Sequence, residues 1–314
     1  MDTYGVIGWP IKHSLSPAMH NAAFKELGIQ NKAKYIKIPV DPDNLENFLL
    51  GNKSEKDTDG NNIHVKDLSG FNITIPHKIK AREILQKKFH IVKDSDFKSE
   101  YIYYDNISRA INTVIRKGED LKYCNTDPIG FRHSLDADLK FKTKDKSVLI
   151  IGCGGAGRAV IAEMSYYASW VKKIYLYDIN KEAVDSAKKQ YSDLRNKIEF
   201  IDNPDKMLKL KNEIDLLVNT SPVGMEEGDN RLPVDKNLLR KGLYVFDLVY
   251  NRKTELFKEA SALGCHVVDG RGMLAAQGAF SFSLWTGTDV PVGKIVEIMR
   301  AALNKALIDK TSMT

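Results

Sequence analysis

"VLIIGCGGAGRAVIAEM", Val148–Met164, sets an apolar, β-prone run directly before a glycine cluster and a helix-compatible run directly after it. Gly152, Gly154 and Gly157 stand in G-x-G-x-x-G spacing. Between a strand and a helix, such glycines let backbone amides at the helix N-terminus approach a pyrophosphate without Cβ obstruction. The motif alone is weak, and a glycine turn in a generic α/β protein is the competing reading. The context strengthens it. The next strand, "KIYLYD", ends at Asp178, about 20 residues on, where a carboxylate can bind the ribose hydroxyls of a dinucleotide. A carboxylate there accepts from a free 2′-hydroxyl and repels a 2′-phosphate, so the sequence predicts a preference for NAD over NADP. Asn180, Lys181 and Arg158 are the nearby residues that could cradle a phosphate instead.

The same pattern continues on either side. "SVLIIG", "KIYLYD", "IEFI", "IDLLVNTS" and "LYVFDLVY" are apolar along their whole length, as strands buried on both faces of a parallel sheet are, with helices expected to about Trp170 and about Arg195. Toward the N-terminus, "TYGVIG", "SPAMHNAAFKELG", "AKYIKIPV", "NLENFLL" and "GFNITIPHK" alternate strand and helix in a second α/β layer. In the last of these, Ile73 and Ile75 are expected on one side of a strand and Asn72 and Thr74 on the other, before Pro76 breaks it and Lys78 follows. "GNKSEKDTDGNN" and "KKFHIVKDSDFKSEYIYY" read as surface insertions, the second without an assigned conformation.

A chain of 314 residues accommodates two domains, and 43% hydrophobic with 28% charged residues excludes disorder and fibrous classes. The apolar runs are too short for a membrane span, and the first residues show no secretory pattern. Cys124, Cys153 and Cys265 are scattered and odd in number, which points to a reducing cytoplasm. None pairs with histidine at metal-ligand spacing, so no metal is expected. The net charge of +6 is spread over many helix faces, as solvated surface rather than a nucleic-acid footprint.

Nicotinamide chemistry needs an alcohol beside the cofactor, a group to take its proton, and groups that recognise the rest of the substrate. Four segments offer candidates: Ser14 and Ser16; Asn72, Thr74 and Lys78; Asn112; Asn125 and Asp127. Ser16-Pro17 and Asp127-Pro128 also read as N-caps followed by proline at the first helical position.

Together "GWPIKHSLSPAMHNAAF", "GFNITIPHK", "AINT", "NTD", "GCGGAGRA", "VNTSPVGM" and "DGRGMLAAQGAFSFSLWTG" resemble the shikimate dehydrogenase family in order and spacing, from about Tyr4 to beyond Trp285. The resemblance implies Lys78 and Asp127 as the catalytic pair. It implies that Ser14, Ser16, Asn72, Thr74, Asn112, Tyr250 and Gln277 bind the carboxylate and hydroxyls of a cyclohexene acid. It places Gly152, Gly154, Gly155, Ala156 and Gly157 in the nucleotide loop, and Thr220, Gly270 and Met273 on the cofactor side. Three departures stand out: Pro128 where the family commonly has glycine, Arg109 where it commonly has a small residue, and "YNRKTELF" without the usual proline after Tyr250.

The expected architecture is α/β with two domains. Residues 1–128, completed by C-terminal helices in 271–314, form a substrate-binding domain, and 129–270 form a Rossmann-like, doubly wound nucleotide-binding domain. The expected activity is NAD- or NADP-linked interconversion of shikimate and 3-dehydroshikimate, by a monomer or homodimer. An NAD-linked quinate/shikimate dehydrogenase is the alternative within the class. A ligand-binding regulator that lost catalysis, and a dehydrogenase acting on folate, are the readings outside it; the latter leaves "SLSP" with "NITIPHK" unexplained.

Overall fold

The computed structural model describes residues 1–92, 98–166 and 171–311. It divides into two compact units, Met1–Gly130 with Ala275–Thr314, and Phe131–Leu274. The boundaries expected from sequence lay at 128 and 270.

The first unit opens with β1 (Asp2–Gly8), α1 (Ser16–Glu26), β2 (Ala33–Pro39) and α2 (Leu45–Leu49), then a short antiparallel hairpin of β3 (Glu55–Lys56) and β4 (Asn62–Ile63). It continues through β5 (Gly70–Ile73), α3 (Lys78–Leu85), β6 (His90–Ile91), α4 (Lys98–Ser108), β7 (Thr113–Lys117) and β8 (Asp120–Cys124) to α5 (Asp127–Ser134). Six strands form its sheet in the order β2-β1-β5-β7-β8-β6. β1 pairs in parallel with β2 and β5, whereas β7 runs antiparallel to both β5 and β8. Ile7, Ile38, Phe48, Phe71, Ile84 and Val114 are buried together in one hydrophobic cluster of this unit.

Several sequence expectations shift here. β5 ends at Ile73, and Ile75 is 55% exposed instead of sharing the buried side with Ile73. The cause is local: Thr74 O accepts from His77 N at 2.9 Å, so the chain has turned before Ile75 could point inward. α1 begins at Ser16 and α5 at Asp127, one residue earlier than a capping role requires. Ser16 and Asp127 are thus the first helical residues, and the end of α1 carries no side-chain cap. The antiparallel hairpin β7–β8 was not expected; its turn passes through Gly118 at φ 63°, between the paired Lys117 and Asp120. Both polar insertions carry structure. The first holds the β3–β4 hairpin, and the second holds β6, paired with β8, and α4.

The second unit runs β9 (Ser147–Ile151), α6 (Gly155–Tyr166), β10 (Lys173–Tyr177), α7 (Lys181–Gln190), β11 (Ile198–Phe200), α8 (Pro204–Lys209), β12 (Leu216–Asn219), β13 (Tyr244–Asp247), α9 (Glu255–Ala262) and β14 (His266–Asp269). Residues 167–170, at the expected end of α6, lie outside the described residues. All six strands are parallel, in the order β11-β10-β9-β12-β13-β14. This is the doubly wound arrangement. The direction of winding reverses between β9 and β12, which sets the switch point at their carboxyl ends, beside Gly152 and Thr220. Caps fit the helix starts: Asn180 accepts from Glu182 N and Ala183 N ahead of α7, and Thr254 accepts from Phe257 N ahead of α9.

α10 (Arg271–Thr286) and α11 (Val292–Thr311) complete the chain. From residue 275 onward they belong to the first unit, where α11 packs along α1. Trp285 donates from Nε1 to Val114 O at 2.9 Å, and a Cβ on Gly70 would lie 2.4 Å from that same nitrogen. Glycine at the start of β5 is what lets the indole lie across the sheet. Among the described residues no helix is long and apolar enough to cross a membrane, and no group of three or more His, Cys, Asp and Glu is arranged to hold a metal.

Candidate active site

In the first unit, Lys78 is the first residue of α3 and Asp127 the first of α5, so two helix starts aim their side chains at each other. Lys78 Nζ lies 2.5 Å from Asp127 Oδ2, with the side chains 13% and 6% exposed. A bond this short between charged partners is a strong, oriented interaction. The other carboxylate oxygen accepts from Asn112 Nδ2 at 2.8 Å. Asp127 N donates to Asn125 Oδ1 at 3.1 Å, and Asn125 Nδ2 donates to Ala110 O at 2.9 Å. Asn125 therefore holds the backbone on either side of the pair.

The Asn112 side chain is fixed at both ends. Its Nδ2 also lies 3.0 Å from Gln277 Oε1 and 2.9 Å from Thr126 Oγ1, while its Oδ1 accepts from Thr126 N at 2.8 Å and Thr113 Oγ1 at 2.8 Å. Only an amide with nitrogen toward Asp127 satisfies these partners. Thr113, Thr126 and Ser281 form a buried hydroxyl cluster behind it, with Thr113 Oγ1 and Ser281 Oγ 2.7 Å apart. Every hydroxyl in the cluster has a partner, which rigidifies a buried polar network.

Asn72 joins this cluster from β5. Its Nδ2 donates to Asn112 O at 3.0 Å and Ser281 Oγ at 3.0 Å, and its Oδ1 accepts from Tyr35 Oη at 2.7 Å. Ser14 lies on the loop into α1 and Ser16 is its first residue, Ser14 Oγ donating to Ser16 Oγ at 3.3 Å. Burial drives the Tyr35 phenol pKa well above its ordinary value, with a hydrogen bond from Ser16 pulling the other way. Hydrogen bonds thus connect Tyr35, Asn72, Asn112, Gln277, Asp127 and Lys78 in one path, with Ser14 and Ser16 bonded to each other. Thr74 directly follows β5, its N–H donating to Ile7 O at 2.9 Å.

The sequence reading missed Tyr35, Thr113, Thr126 and Ser281. For Ser281 a signal existed, because it stands four residues after Gln277 on α10 and so shares its helix face. Tyr35 looked like an ordinary strand aromatic in "AKYIKIPV", and only its phenol's partner in the fold distinguishes it.

The second unit carries the remaining candidates. Gly152 adopts φ 110°, and a Cβ on Gly157 would lie 2.1 Å from Gly152 O, so the turn between β9 and α6 closes only with glycine at both positions. A Cβ on Gly154 meets nothing within 4 Å, which leaves open space in front of the loop. With Gly155, Ala156 and Gly157 in the first turn of α6, that space and those amides fit the pyrophosphate of a dinucleotide. Asp178 lies just past β10; its Oδ2 accepts from Cys153 N at 2.6 Å and its Oδ1 from Asn180 N at 2.8 Å. Arg158 is 5% exposed and spends its guanidinium on Cys153 O, Gln190 Oε1 and Ser186 Oγ.

Thr220 Oγ1 donates to Ile151 O at 2.8 Å, tying the end of β12 to the glycine turn. Gly270 sits where a Cβ would lie 2.1 Å from Leu248 O. Burial raises the Tyr250 phenol pKa, and Met273 is buried. The loop after Tyr250, short of the expected proline, is held by Asn251 Nδ2 donating to Met225 O at 2.9 Å and by Arg252 Nη1 donating to Glu226 O. Upstream, the Asp247 carboxylate accepts from Asn219 Nδ2 at 2.9 Å, Val249 N at 3.2 Å and Thr254 Oγ1.

Comparison with known proteins converges on one family. A family model for the shikimate dehydrogenase substrate binding domain matches residues 6–93, and one for the shikimate 5′-dehydrogenase C-terminal domain matches residues 270–303. A curated relative from Methanobrevibacter smithii, named shikimate dehydrogenase (NADP(+)), is 35% identical over 310 residues, covering 96% of each chain. A crystal structure of shikimate dehydrogenase in complex with NADP+ superimposes with TM-score 0.77 at 31% identity, covering 98% of this chain and 96% of that one. The Listeria monocytogenes shikimate 5-dehydrogenase in complex with shikimate and NAD gives TM-score 0.73 at 26% identity, covering 95% and 96%. With similarity of this extent over nearly the whole length, the chain belongs to the shikimate dehydrogenase family.

Proposed function

We propose that the protein interconverts shikimate and 3-dehydroshikimate, with Lys78 and Asp127 as the catalytic pair and a nicotinamide dinucleotide as redox partner. The observation that carries this reading is the ion pair at 2.5 Å, oriented by Asn112 and connected by hydrogen bonds to Asn72 and Gln277. A secondary alcohol becomes a hydride donor only as its proton departs, so the site must place a proton acceptor against that oxygen. Lys78 Nζ is the group to do so as the neutral amine, taking the proton to become the ammonium in oxidation and returning it in reduction. Asp127 orients the amine and balances its charge. The serine hydroxyls donate to the substrate carboxylate, while Asn112 and Gln277 offer amides to its ring hydroxyls. The dinucleotide, when bound, supplies the hydride acceptor or donor.

For the coenzyme we propose NAD. The Asp178 carboxylate at the end of β10 opposes a 2′-phosphate, and Arg158 is already committed inside the second unit. Lys181, exposed at the start of α7, is the cation that argues the other way, as does the NADP(+) in the name of the Methanobrevibacter relative. Quinate is the second substrate to try, since it differs at the carboxylate-bearing carbon that Ser14 and Ser16 would face. Steady-state kinetics on shikimate and quinate with each coenzyme test the whole reading. The expected result is turnover of shikimate with kcat/KM higher for NAD. A tenfold advantage for NADP would refute the coenzyme assignment, and no turnover of either acid would refute the function.

A further inference from the structure

Among the described residues Asn72 Oδ1 has one side-chain donor, the phenol of Tyr35, at 2.7 Å. The amide cannot be turned around, because its Nδ2 faces Asn112 O, a backbone carbonyl that only accepts. The Tyr35 proton is therefore committed to Asn72, and the hydrogen bonds run from Tyr35 to Asn72 and from Asn72 to the Asn112 carbonyl. Tyr35 is itself held rigidly. Its backbone N–H donates to Asn21 Oδ1 at 2.8 Å and its carbonyl accepts from Asn21 Nδ2 at 2.9 Å, so α1 grips β2 at this residue. Its ring stacks on His20 at 4.1 Å between centroids and 6° between planes, and is 2% exposed.

We infer that Tyr35 is a positioning residue for substrate binding: its hydroxyl donates to Asn72 Oδ1 and fixes Asn72 as an acceptor toward the substrate. This rests on the functional reading above. No part of the phenol needs to touch the substrate. Its effect reaches the ligand through Asn72, which belongs to the binding step rather than to proton transfer.

Tyr35→Phe deletes only the hydroxyl and keeps the stack on His20. Leaving a buried acceptor unpaired is expected to raise the shikimate KM about tenfold. The kcat and the coenzyme KM stay within about twofold of the unaltered protein. A shikimate KM within twofold, whatever happens to the melting temperature, overturns the inference, because a packing role would move stability and leave KM alone. Should the variant not fold, 3-fluorotyrosine placed at position 35 gives a second readout. Its fluorine resonance is expected to move when shikimate is added and not when the coenzyme is added; an unmoved resonance overturns the inference. Absence of shikimate turnover by the unaltered protein would instead sink the functional reading, and this one with it.

Discussion

Arg109 occupies the left-handed region at φ 45°, immediately after α4 and two residues before the Ile111-Asn112 backbone of the site. A side chain with a Cβ pays about 1 kcal/mol for that conformation relative to glycine. Arg109 is exposed, so little packing is lost on its removal. Arg109→Gly is expected to stabilise the protein by about 1 kcal/mol in urea unfolding, with activity retained; a fall in the midpoint would contradict this. Pro128 follows the first residue of α5, in the first turn, where its missing N–H costs nothing. At this scale the sequence was most informative about charged and polar residues at element ends, Lys78 and Asp127 above all. It was least informative about residues like Tyr35 and Thr113, whose polar atoms matter only through partners distant in the chain.

The β9–α6 turn is the element whose form was most legible, because glycine spacing and the apolar strand before it leave few alternatives. Gly157 is its tightest point. Gly157→Ala would drive a methyl group into Gly152 O at 2.1 Å and against Thr220 Oγ1 at 2.9 Å, forcing the loop open. The coenzyme KM is expected to rise tenfold or more, roughly the effect of losing one well-placed loop contact, with the dissociation constant for shikimate unchanged. Normal coenzyme affinity in that variant would mean the turn does not hold the pyrophosphate. The β7–β8 hairpin was the least legible element. "TVIRKGEDLKYC" alternates poorly, since Thr113 and Cys124 at its open end are as buried as Val114 and Tyr123, and a period of two disappears when both faces are covered. β5 ended early for a related reason: Ile75 has the right residue type, but the turn at Thr74–His77 overrides it. The insertion at 87–104 hid α4, which packs through Tyr101 and Tyr104 and clamps α3 through Arg82 and Asp105, whose nearest atoms are 2.8 Å apart.

Over the whole molecule, two α/β units could be read from alternation and length, and the parallel second sheet from its uniformly apolar strands. The antiparallel strands in the first sheet could not. One buried titratable group adds a property of the entire fold. His20 is fully buried, its imidazole nitrogens have no hydrogen-bond partner among the described residues, and burial pushes its pKa down to about 3. A histidine whose folded pKa lies below its unfolded value near 6.5 contributes no penalty above pH 6.5. As pH falls below that value the unfolded chain takes up a proton that the folded chain refuses, and stability declines until about pH 3. His77, also lowered by burial, acts in the same direction. Stability is expected to fall by roughly 1 kcal/mol per pH unit between about 6 and 4 from His20 alone. His20→Phe should flatten that slope in unfolding curves at several pH values, and an unchanged slope would contradict the assignment. The account of function, in contrast, hangs on the side-chain nitrogen of Lys78 beside Asp127. Steady-state oxidation of shikimate by Lys78→Ala is the measurement that bears on it most directly. A kcat lower by about three orders of magnitude with a KM within a few-fold is the predicted result, and turnover near that of the unaltered protein would contradict it.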